Sequence, residues 1–165
     1  MVIDPIVVRD YLAGCGPNTK VYIGADSKRF RQKGVWYADY MLVVVIHING
    51  RNGCKIFGEV QRERDFDVKL GKPATRLMNE VYKVAELYAR LEDTFIECDL
   101  DDVEIHLDLN PDETCGSSVV IQQAIGYIKG TCNVTPLVKP EAFAASYAAD
   151  RFKEIRQGLP EIAAA

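Results

Sequence analysis

The sequence predicts an α/β fold in which a mixed five-stranded sheet is flanked by helices. Three strand-like segments come first, and two strand-helix units follow a long amphipathic helix. If a short opening helix is set aside, the order of elements is β-β-β-α-β-α-β-α. A meander followed by strand-helix units is typical of a mixed sheet with helices packed on its faces.

Length and composition predict one domain over residues 1–165. Of the 165 residues, 48% are hydrophobic and 27% are charged, and this balance suits a single core. No stretch is long enough to span a bilayer, and the N-terminus lacks the basic and apolar regions of a signal peptide. We therefore expect a cytoplasmic protein with no membrane segment.

The cysteines and the net charge argue against two kinds of site. Five scattered cysteines without CxxC spacing, and only two histidines, make a structural zinc site a poor interpretation and indicate reduced, mostly buried thiols. The net charge of −4 argues against strong non-specific binding of nucleic acid. It is compatible with a site in which acidic side chains bind cations.

The opening elements are predicted from their turn and capping residues. Asp4 is an N-cap followed by Pro5 at the first helical position, which predicts a helix over residues 4–14. Residues 21–25 are a strand that ends at Asp26. Basic residues are expected to follow it in a loop, namely Lys28, Arg29, Arg31 and Lys33. No basic and aromatic surface for a duplex is evident.

Periodicity predicts the remaining elements. The strands are expected over residues 35–48, 54–63, 103–109 and 134–138, and the helices over residues 73–93, 118–130 and 141–157. The Asn- and Gly-rich residues 49–53 indicate a hairpin, Pro73 opens the first long helix, and Ser117 or Ser118 is expected to cap the second.

Glu80 is the first acid that the pattern singles out. It lies within the apolar stripe of its helix, which consists of Leu77, Val81, Val84, Leu87, Tyr88 and Leu91. A carboxylate on the core side is costly unless it is paired or binds a cation. A salt bridge at the edge of the stripe and a functional role fit this position about equally well.

Two aspartates are expected at strand ends. Asp108 shares one face of its strand with Glu104 and His106, a face that would ordinarily be exposed to solvent, and Asp26 follows the first strand. Alone, an aspartate of this kind is usually a turn residue. If the two strands are parallel neighbours, both aspartates point into the crevice at their carboxyl ends, where α/β sheets bind ligands.

Asp150 completes a set of four acids. It shares a helix face with Phe143, Tyr147 and Glu154, which taken alone favours a solvated row of side chains. Together, Asp26, Glu80, Asp108 and Asp150 form an all-oxygen ligand set that suits Mg²⁺ or Mn²⁺ rather than zinc. Two such ions about 3.5–4 Å apart can activate water and stabilise the leaving oxygen in phosphodiester cleavage.

Five short motifs, in this order, resemble the YkuK-type family of predicted ribonuclease H-related nucleases. They are GADSK at 24–28, HLDLNP at 106–111, IGYIKG at 125–130, VKP at 138–140 and ASYAADR at 145–151. The resemblance extends over residues 21–151. It implies a ribonuclease H-like fold with strand order 3-2-1-4-5.

The resemblance also implies site residues. Asp26, Glu80, Asp108 and Asp150 would be the catalytic and metal-binding acids, with Mg²⁺ or Mn²⁺ as cofactor. Asp26 would bridge two ions, Glu80 and Asp108 would complete one site, and Asp150 would complete the other. Lys28 and Lys139 are candidates for phosphate contacts with RNA, DNA or a hybrid, although a solvated surface position is the more common role of a lysine.

Three other functions fit the same residues. A catalytically silent ribonuclease H-like module would bind nucleic acid or a protein partner. A phosphohydrolase of small molecules would use the same metals and would suit the low basicity. A structural protein would use the exposed edge of the meander as an interface. The presence of all four acids favours the metal-dependent nuclease.

Overall fold

The computed structural model describes residues 2–50, 53–67, 74–112, 114, 118 and 120–156. The helices are α1 (Pro5–Leu12), α2 (Ala74–Glu97), α3 (Ile121–Cys132) and α4 (Ala149–Arg156). The strands are β1 (Lys20–Gln32), β2 (Val35–His47), β3 (Cys54–Arg64) and β4 (Val103–Leu107). A short 3₁₀ turn (Ile48–Gly50) follows β2, and a π-helical turn (Ala144–Ala148) leads directly into α4.

The described residues form a four-stranded mixed sheet in the order β3-β2-β1-β4. β1 pairs with β2 antiparallel from Lys20 to Gln32, β2 pairs with β3 antiparallel, and β1 pairs with β4 parallel. The predicted α/β architecture and the 3-2-1-4 part of the strand order are therefore confirmed.

The predicted fifth strand is reduced to one parallel bridge, between Leu137 and His106. The N–H of Leu137 donates to the carbonyl of Ile105 at 2.8 Å, and its carbonyl accepts from the N–H of Leu107 at 2.9 Å, so the segment does lie beside β4. The ladder stops because β4 turns at its end. The N–H of Leu109 bonds back to the carbonyl of Leu107 at 2.8 Å, and regular pairing cannot continue.

Each face of the sheet has its own core. On the first, called the α2 face, Val21, Ile23 and Ala25 of β1 belong to the large core that includes α1, α2 and α3. On the second, called the α4 face, Tyr22 packs in a smaller cluster with alanines of the π-helical turn and α4. Because side chains alternate along a strand, these two sets show which face each remaining side chain of β1 points to.

β1 is longer than predicted, and this corrects the expected basic loop. Lys28, Arg29 and Arg31 lie inside the strand, which pairs with β2 as far as Gln32. The turn is Lys33-Gly34, with φ angles of 48° and 82°, as a tight two-residue hairpin requires. We call residues 26–41 of this hairpin the ribbon.

The helix ends differ modestly from the predictions. Asp4 caps α1 by accepting the N–H of Ile6 at 2.9 Å, as expected. α2 begins at Ala74 and ends a turn later than expected, at Glu97. The N-cap of α3 is Val120, without a side-chain bond, so Ser118 is not the cap. The last helix starts with the π-helical turn rather than at Glu141.

Some predictions fall wholly or partly outside the described residues. They concern Arg51 and Asn52 of the hairpin, Pro73, Cys115, Ser117 and Gln157. The four described cysteines are free thiols, but of these only Cys132 is buried, which corrects the expectation of mostly buried thiols. None of the described helices has the length and apolar character needed to cross a membrane.

Candidate functional site

Asp26 and Asp108 occupy neighbouring positions at the carboxyl end of the β1–β4 pair. The last paired residues are Ala25 and Leu107, so each aspartate is the next residue along the chain. Adjacent strands lie about 4.8 Å apart. Alternation along β1 directs the side chain of Asp26 to the α4 face, where Tyr22 and His106 also lie, whereas Asp108 sits in the turn that ends β4. The parallel pairing that the prediction required is present.

Lys139 lies against this pair of acids. Its backbone N–H donates to the carbonyl of Leu109 at 3.0 Å, which fixes it beside the turn that follows β4. Its Nζ lies 2.6 Å from Oδ1 of Asp108. The lysine predicted to contact phosphate is therefore paired with an acid of the site in this structure, whereas Lys28 is exposed on β1 two residues after Asp26.

Asp150 lines a cleft that opens beside Lys139. The cleft has a volume of about 550 Å³ and is bordered by residues of the turn after β4 and of the last helical segment. Its lining includes Asn110, Asp112, Lys139, Phe143, Tyr147 and Asp150. The helix face that the sequence grouped together, with Phe143, Tyr147 and Asp150, thus borders one cavity.

Glu80 approaches β1 from the opposite, α2 face. It is only 5% exposed, and its Oε1 accepts a hydrogen bond from the hydroxyl of Ser27. Nη1 of Arg76 lies 3.8 Å from the same oxygen and also donates to Ser27. The salt bridge that the sequence allowed for Glu80 is therefore formed, and its partner is Arg76. Ser27, which binds both residues, directly follows Asp26 on β1.

The pKa of Glu80, on the α2 face, is influenced by the charges of Asp26 and Asp108. Burial raises the pKa of Glu80 to about 8, and the negative charges of Asp26 and Asp108 act in the same direction. The hydrogen bond from Ser27 and the charge of Arg76 oppose these effects. Because Asp26 and Asp108 both disfavour the ionised form of Glu80, the three acids belong to one electrostatic group although they do not share one face.

Comparison with known proteins identifies the family. Residues 8–154 match the family model described as ribonuclease H-like. The chain belongs to the ribonuclease H-like family. Neither the curated proteins nor the solved structures give a significant match. Family membership supports a nuclease-related or nucleic-acid-binding role for this ribonuclease H-like chain.

The donor set of this ribonuclease H-like chain fits a hard divalent cation. All four predicted ligands are carboxylates, which suit Mg²⁺ and Mn²⁺, the ions that ribonuclease H-like nucleases usually use. Neighbouring carboxylates disfavour each other's ionisation, and a bound cation relieves that repulsion. The chemistry of the donors is thus suitable.

The four predicted acids are not gathered into one cluster in this structure. Within the part of the chain that the structure describes, no three Asp, Glu, His or Cys side chains form a group ready to hold a metal ion. Asp26 and Asp108 each follow the last residue of the β1–β4 pairing. The structure places Asp150 on the cleft and Glu80 with Ser27 and Arg76 on the other face.

His106 is a buried residue of this site whose burial the sequence did not predict. It is fully buried, although its face of β4 was expected to be exposed. Nδ1 accepts the N–H of Ala144 at 3.1 Å, and Nε2 lies 3.0 Å from Glu104. Burial lowers its pKa, against the influence of Glu104. The run of alanines before Asp150 was the signal that a helix packs closely on this face.

Proposed function

We propose that this protein is a divalent-metal-dependent nuclease that hydrolyses phosphodiester bonds at the strand end where Asp26 and Asp108 meet. The observation that carries the proposal is the adjacency of these two aspartates at the carboxyl end of a parallel strand pair. In α/β sheets this is the position at which ligands bind. Membership of the ribonuclease H-like family supports the same reaction class.

Each acid has a proposed role in holding Mg²⁺ or Mn²⁺. Asp26 would serve both ions, Glu80 and Asp108 would serve one of them, and Asp150 would serve the other. When bound, such ions lower the pKa of water and neutralise the charge that develops on a phosphate. Glu80 belongs to this set because the resemblance implies it, and in this structure it is bound to Ser27 and Arg76 on the α2 face.

The lysines have proposed roles in binding the substrate. Lys139 is held beside Asp108 by its backbone bond to Leu109, so its ammonium group is within reach of a phosphate bound at that aspartate. Lys28 is exposed on the same face of β1 as Asp26. We assign both lysines to phosphate oxygens, because an ammonium group is a mobile donor that suits a phosphate as a point charge.

We further infer that residues 1–165 form one domain and that the chain is a member of the YkuK-type branch of the family. The matched span of residues 8–154 supports the first inference. The ordered motifs, from GADSK to ASYAADR, support the second. The family match concerns the broader family alone.

One observation favours a second candidate, a catalytically silent module that binds nucleic acid. Nζ of Lys139 lies 2.6 Å from Oδ1 of Asp108. A carboxylate whose charge is balanced by a lysine attracts a metal ion less strongly. In this alternative the strand end would bind phosphate through Lys139 without cleaving it. The two functions make opposite predictions for a cleavage assay.

The test is cleavage of labelled RNA, DNA and hybrid oligonucleotides in Mg²⁺, in Mn²⁺ and in EDTA. We expect metal-dependent cleavage by the wild type and a loss of roughly 100-fold or more in Asp26→Asn and Asp108→Asn, since metal catalysis contributes several kcal/mol. Asp10→Asn is the matched control, because Asp10 is an exposed acid on α1, and it should cleave normally. Binding of all three oligonucleotides without cleavage would favour the silent module.

A further inference from the structure

A cationic and aromatic surface lies next to the candidate metal site. The ribbon and the end of β3 carry six basic side chains, Lys28, Arg29, Arg31, Lys33, Arg62 and Arg64. Of the four aromatic side chains in the ribbon, Tyr40 is buried, whereas Phe30, Trp36 and Tyr37 are at least partly exposed. In a chain with a net charge of −4, this is a local reversal of sign.

The strand register divides these side chains between the two faces. Phe30 pairs with Tyr37, and Tyr37 pairs with Arg64. Alternation from Asp26 places Lys28 and Phe30 on the α4 face, the face of Asp26 itself. Lys28, Phe30, Tyr37, Arg62 and Arg64 therefore share that face, and we call them the ribbon surface.

On the opposite side of the ribbon, Arg29 is committed to internal contacts. Nε of Arg29 lies 2.6 Å from buried Asp65, and its guanidinium lies 4.2 Å from the centre of the Trp36 ring. Arg29 also donates to the carbonyl of Asp67 at 2.6 Å. These contacts hold the segment that follows β3 in place, so Arg29 stabilises the fold.

The ribbon surface carries a preformed stack of flat groups. The rings of Phe30 and Tyr37 are stacked with centres 5.9 Å apart and 22° between their planes. The guanidinium of Arg62 lies 4.5 Å from the centre of the Phe30 ring. Asp39 fixes that guanidinium through two hydrogen bonds of 2.6 and 2.8 Å. Nucleobases stack on aromatic rings and on arginine planes of this kind.

Two cations flank the stack, and the guanidinium of one of them, Arg64, lies 5.2 Å from the centre of the Phe66 ring. Lys28 and Arg64 are exposed, and within the described residues no carboxylate lies within 4.0 Å of either side chain's nitrogen atoms. A ligand that fits this surface therefore carries negative charge and flat rings together. An acidic peptide would use the cations alone, whereas a nucleic acid would use both features.

We propose that the ribbon surface binds single-stranded nucleic acid and leads it toward Asp26. The direction of the track rests on the proposed function, whereas the binding itself does not. Asp26, Lys28 and Phe30 follow one another at alternate positions of β1, which places the stack about 13 Å from Asp26 at ~3.3 Å per residue. A single strand is the ligand because bases in a duplex are not free to stack on protein side chains.

The first test measures binding of labelled 12-nucleotide oligothymidylate and oligouridylate by fluorescence anisotropy, in EDTA and at several salt concentrations. Lys28→Gln combined with Arg64→Gln should weaken binding roughly tenfold and lower the salt slope by about 2, one for each lost phosphate contact. Arg31→Gln combined with Lys129→Gln is the matched control. It removes the same charge from exposed positions outside the ribbon surface and should change affinity less than twofold.

The second test concerns stacking. Tyr37→Leu should weaken binding of the same oligonucleotides at least fivefold, roughly the lower limit for one base-aromatic stack. Tyr127→Leu, on α3, is the control and should bind as the wild type does. Circular dichroism shows whether each variant is folded, and the charge variants, which change exposed side chains, keep the test valid if Tyr37→Leu does not fold.

Three outcomes would overturn this inference. They are equal weakening by the two pairs of charge variants, equal affinity for a 12-base-pair duplex, and equal affinity for labelled polyglutamate. Because every measurement is made in EDTA, failure of the proposed nuclease activity leaves the result unaffected. Asp26→Asn should bind at least as tightly as the wild type, and this separates the ribbon surface from the acids.

Discussion

Glu80 and its two neighbours show how a buried carboxylate is accommodated near the strand ends. Ser27 donates its hydroxyl hydrogen to Glu80, and the guanidinium of Arg76 contacts both residues. Arg76 itself is largely buried, with 18% of its side chain exposed. Each member of this trio would lose a necessary partner if another were removed.

Two variants of Glu80 should separate the contribution of its charge to stability from that of its hydrogen bond with Ser27. Glu80→Ala leaves Arg76 and Ser27 without their partner, so we expect a loss of about 3 kcal/mol in the free energy of unfolding. Glu80→Gln keeps an oxygen that accepts from Ser27, and the loss should stay below about 1 kcal/mol. Urea denaturation at pH 7 measures both values. Equal destabilisation by the two variants would contradict this account of the trio.

Glu59 connects the N-terminal segment to the sheet. It is 2% exposed and accepts hydrogen bonds from the N–H of Ile3 at 2.7 Å and from Arg90 at 2.9 Å. Burial alone would raise its pKa, but the bonds from Ile3, Arg90 and Gln61 together hold that pKa below its ordinary value. This contact explains why α1, for which the sequence offered no role, is attached at its start to β3.

The lowered pKa of Glu59 gives a pH dependence of stability with a definite sign. A carboxyl whose pKa is lower in the folded state stabilises the fold above its unfolded value, near 4.5, and that contribution is lost as pH falls through the folded pKa. Glu59→Gln should therefore be less stable than the wild type at pH 7, with a smaller further loss on acidification below pH 4.5. Urea midpoints at neutral and acidic pH test this, and identical pH slopes would contradict it.

At the scale of elements, one buried side chain joins β4 to the last helix. His106 accepts the N–H of Ala144, and the rings of Tyr22 and Phe143 pack around it with centres 5.2 and 4.8 Å away. The π-helical turn and α4 thus take their position from β4. Asp150, in the first turn of α4, depends on the same contact.

Replacement of His106 should loosen the last helix more than the rest of the fold. In His106→Leu the buried N–H of Ala144 loses its acceptor, so amide hydrogens of residues 144–150 should exchange roughly tenfold faster, equivalent to about 1.4 kcal/mol. His106→Asn keeps an acceptor and should retain more protection. Hydrogen exchange read by mass spectrometry, with α3 as the internal control, measures this. Uniform loss of protection across the chain would show a global effect instead.

The sequence predicted elements well where a pattern is local. Alternation and the hairpin residues gave β2 and β3 almost to their ends, and Asp4-Pro5 gave the start of α1. β1 was predicted too short because its charged residues resemble a loop. The cross-strand partners of Lys28 and Arg31 are Asp39 and Trp36 on the neighbouring strand, and a single strand's sequence does not reveal such contacts.

The candidate site was predictable to the level of the strand end but not of its contacts. Asp26 and Asp108 could be placed together because one assumption, parallel pairing, decides their positions. The contact of Glu80 with Ser27 depends on how α2 packs on the sheet. The contact of Lys139 with Asp108 depends on how the segment around Leu137 packs beside β4. Docking is a tertiary property that periodicity does not encode, so these partners became evident only in the structure.

At the scale of the whole molecule, charge is distributed unevenly along one face. The α4 face carries acids at the end of the β1–β4 pair and cations with aromatic rings along the ribbon, while the chain as a whole is acidic. An acidic protein can still bind nucleic acid when its cations are concentrated, because phosphate contacts are local. The proposed cation site and the ribbon surface are then adjacent parts of one binding face.

The most direct measurement is calorimetric titration of Mn²⁺ into the wild type, Asp26→Asn and Asp10→Asn. If Asp26 and Asp108 hold a divalent ion, the wild type and Asp10→Asn should bind Mn²⁺ with the same affinity, and Asp26→Asn should lose roughly 100-fold or more, because a ligand shared by the site is missing. Equal binding of Mn²⁺ by the wild type and Asp26→Asn would contradict the proposed metal site.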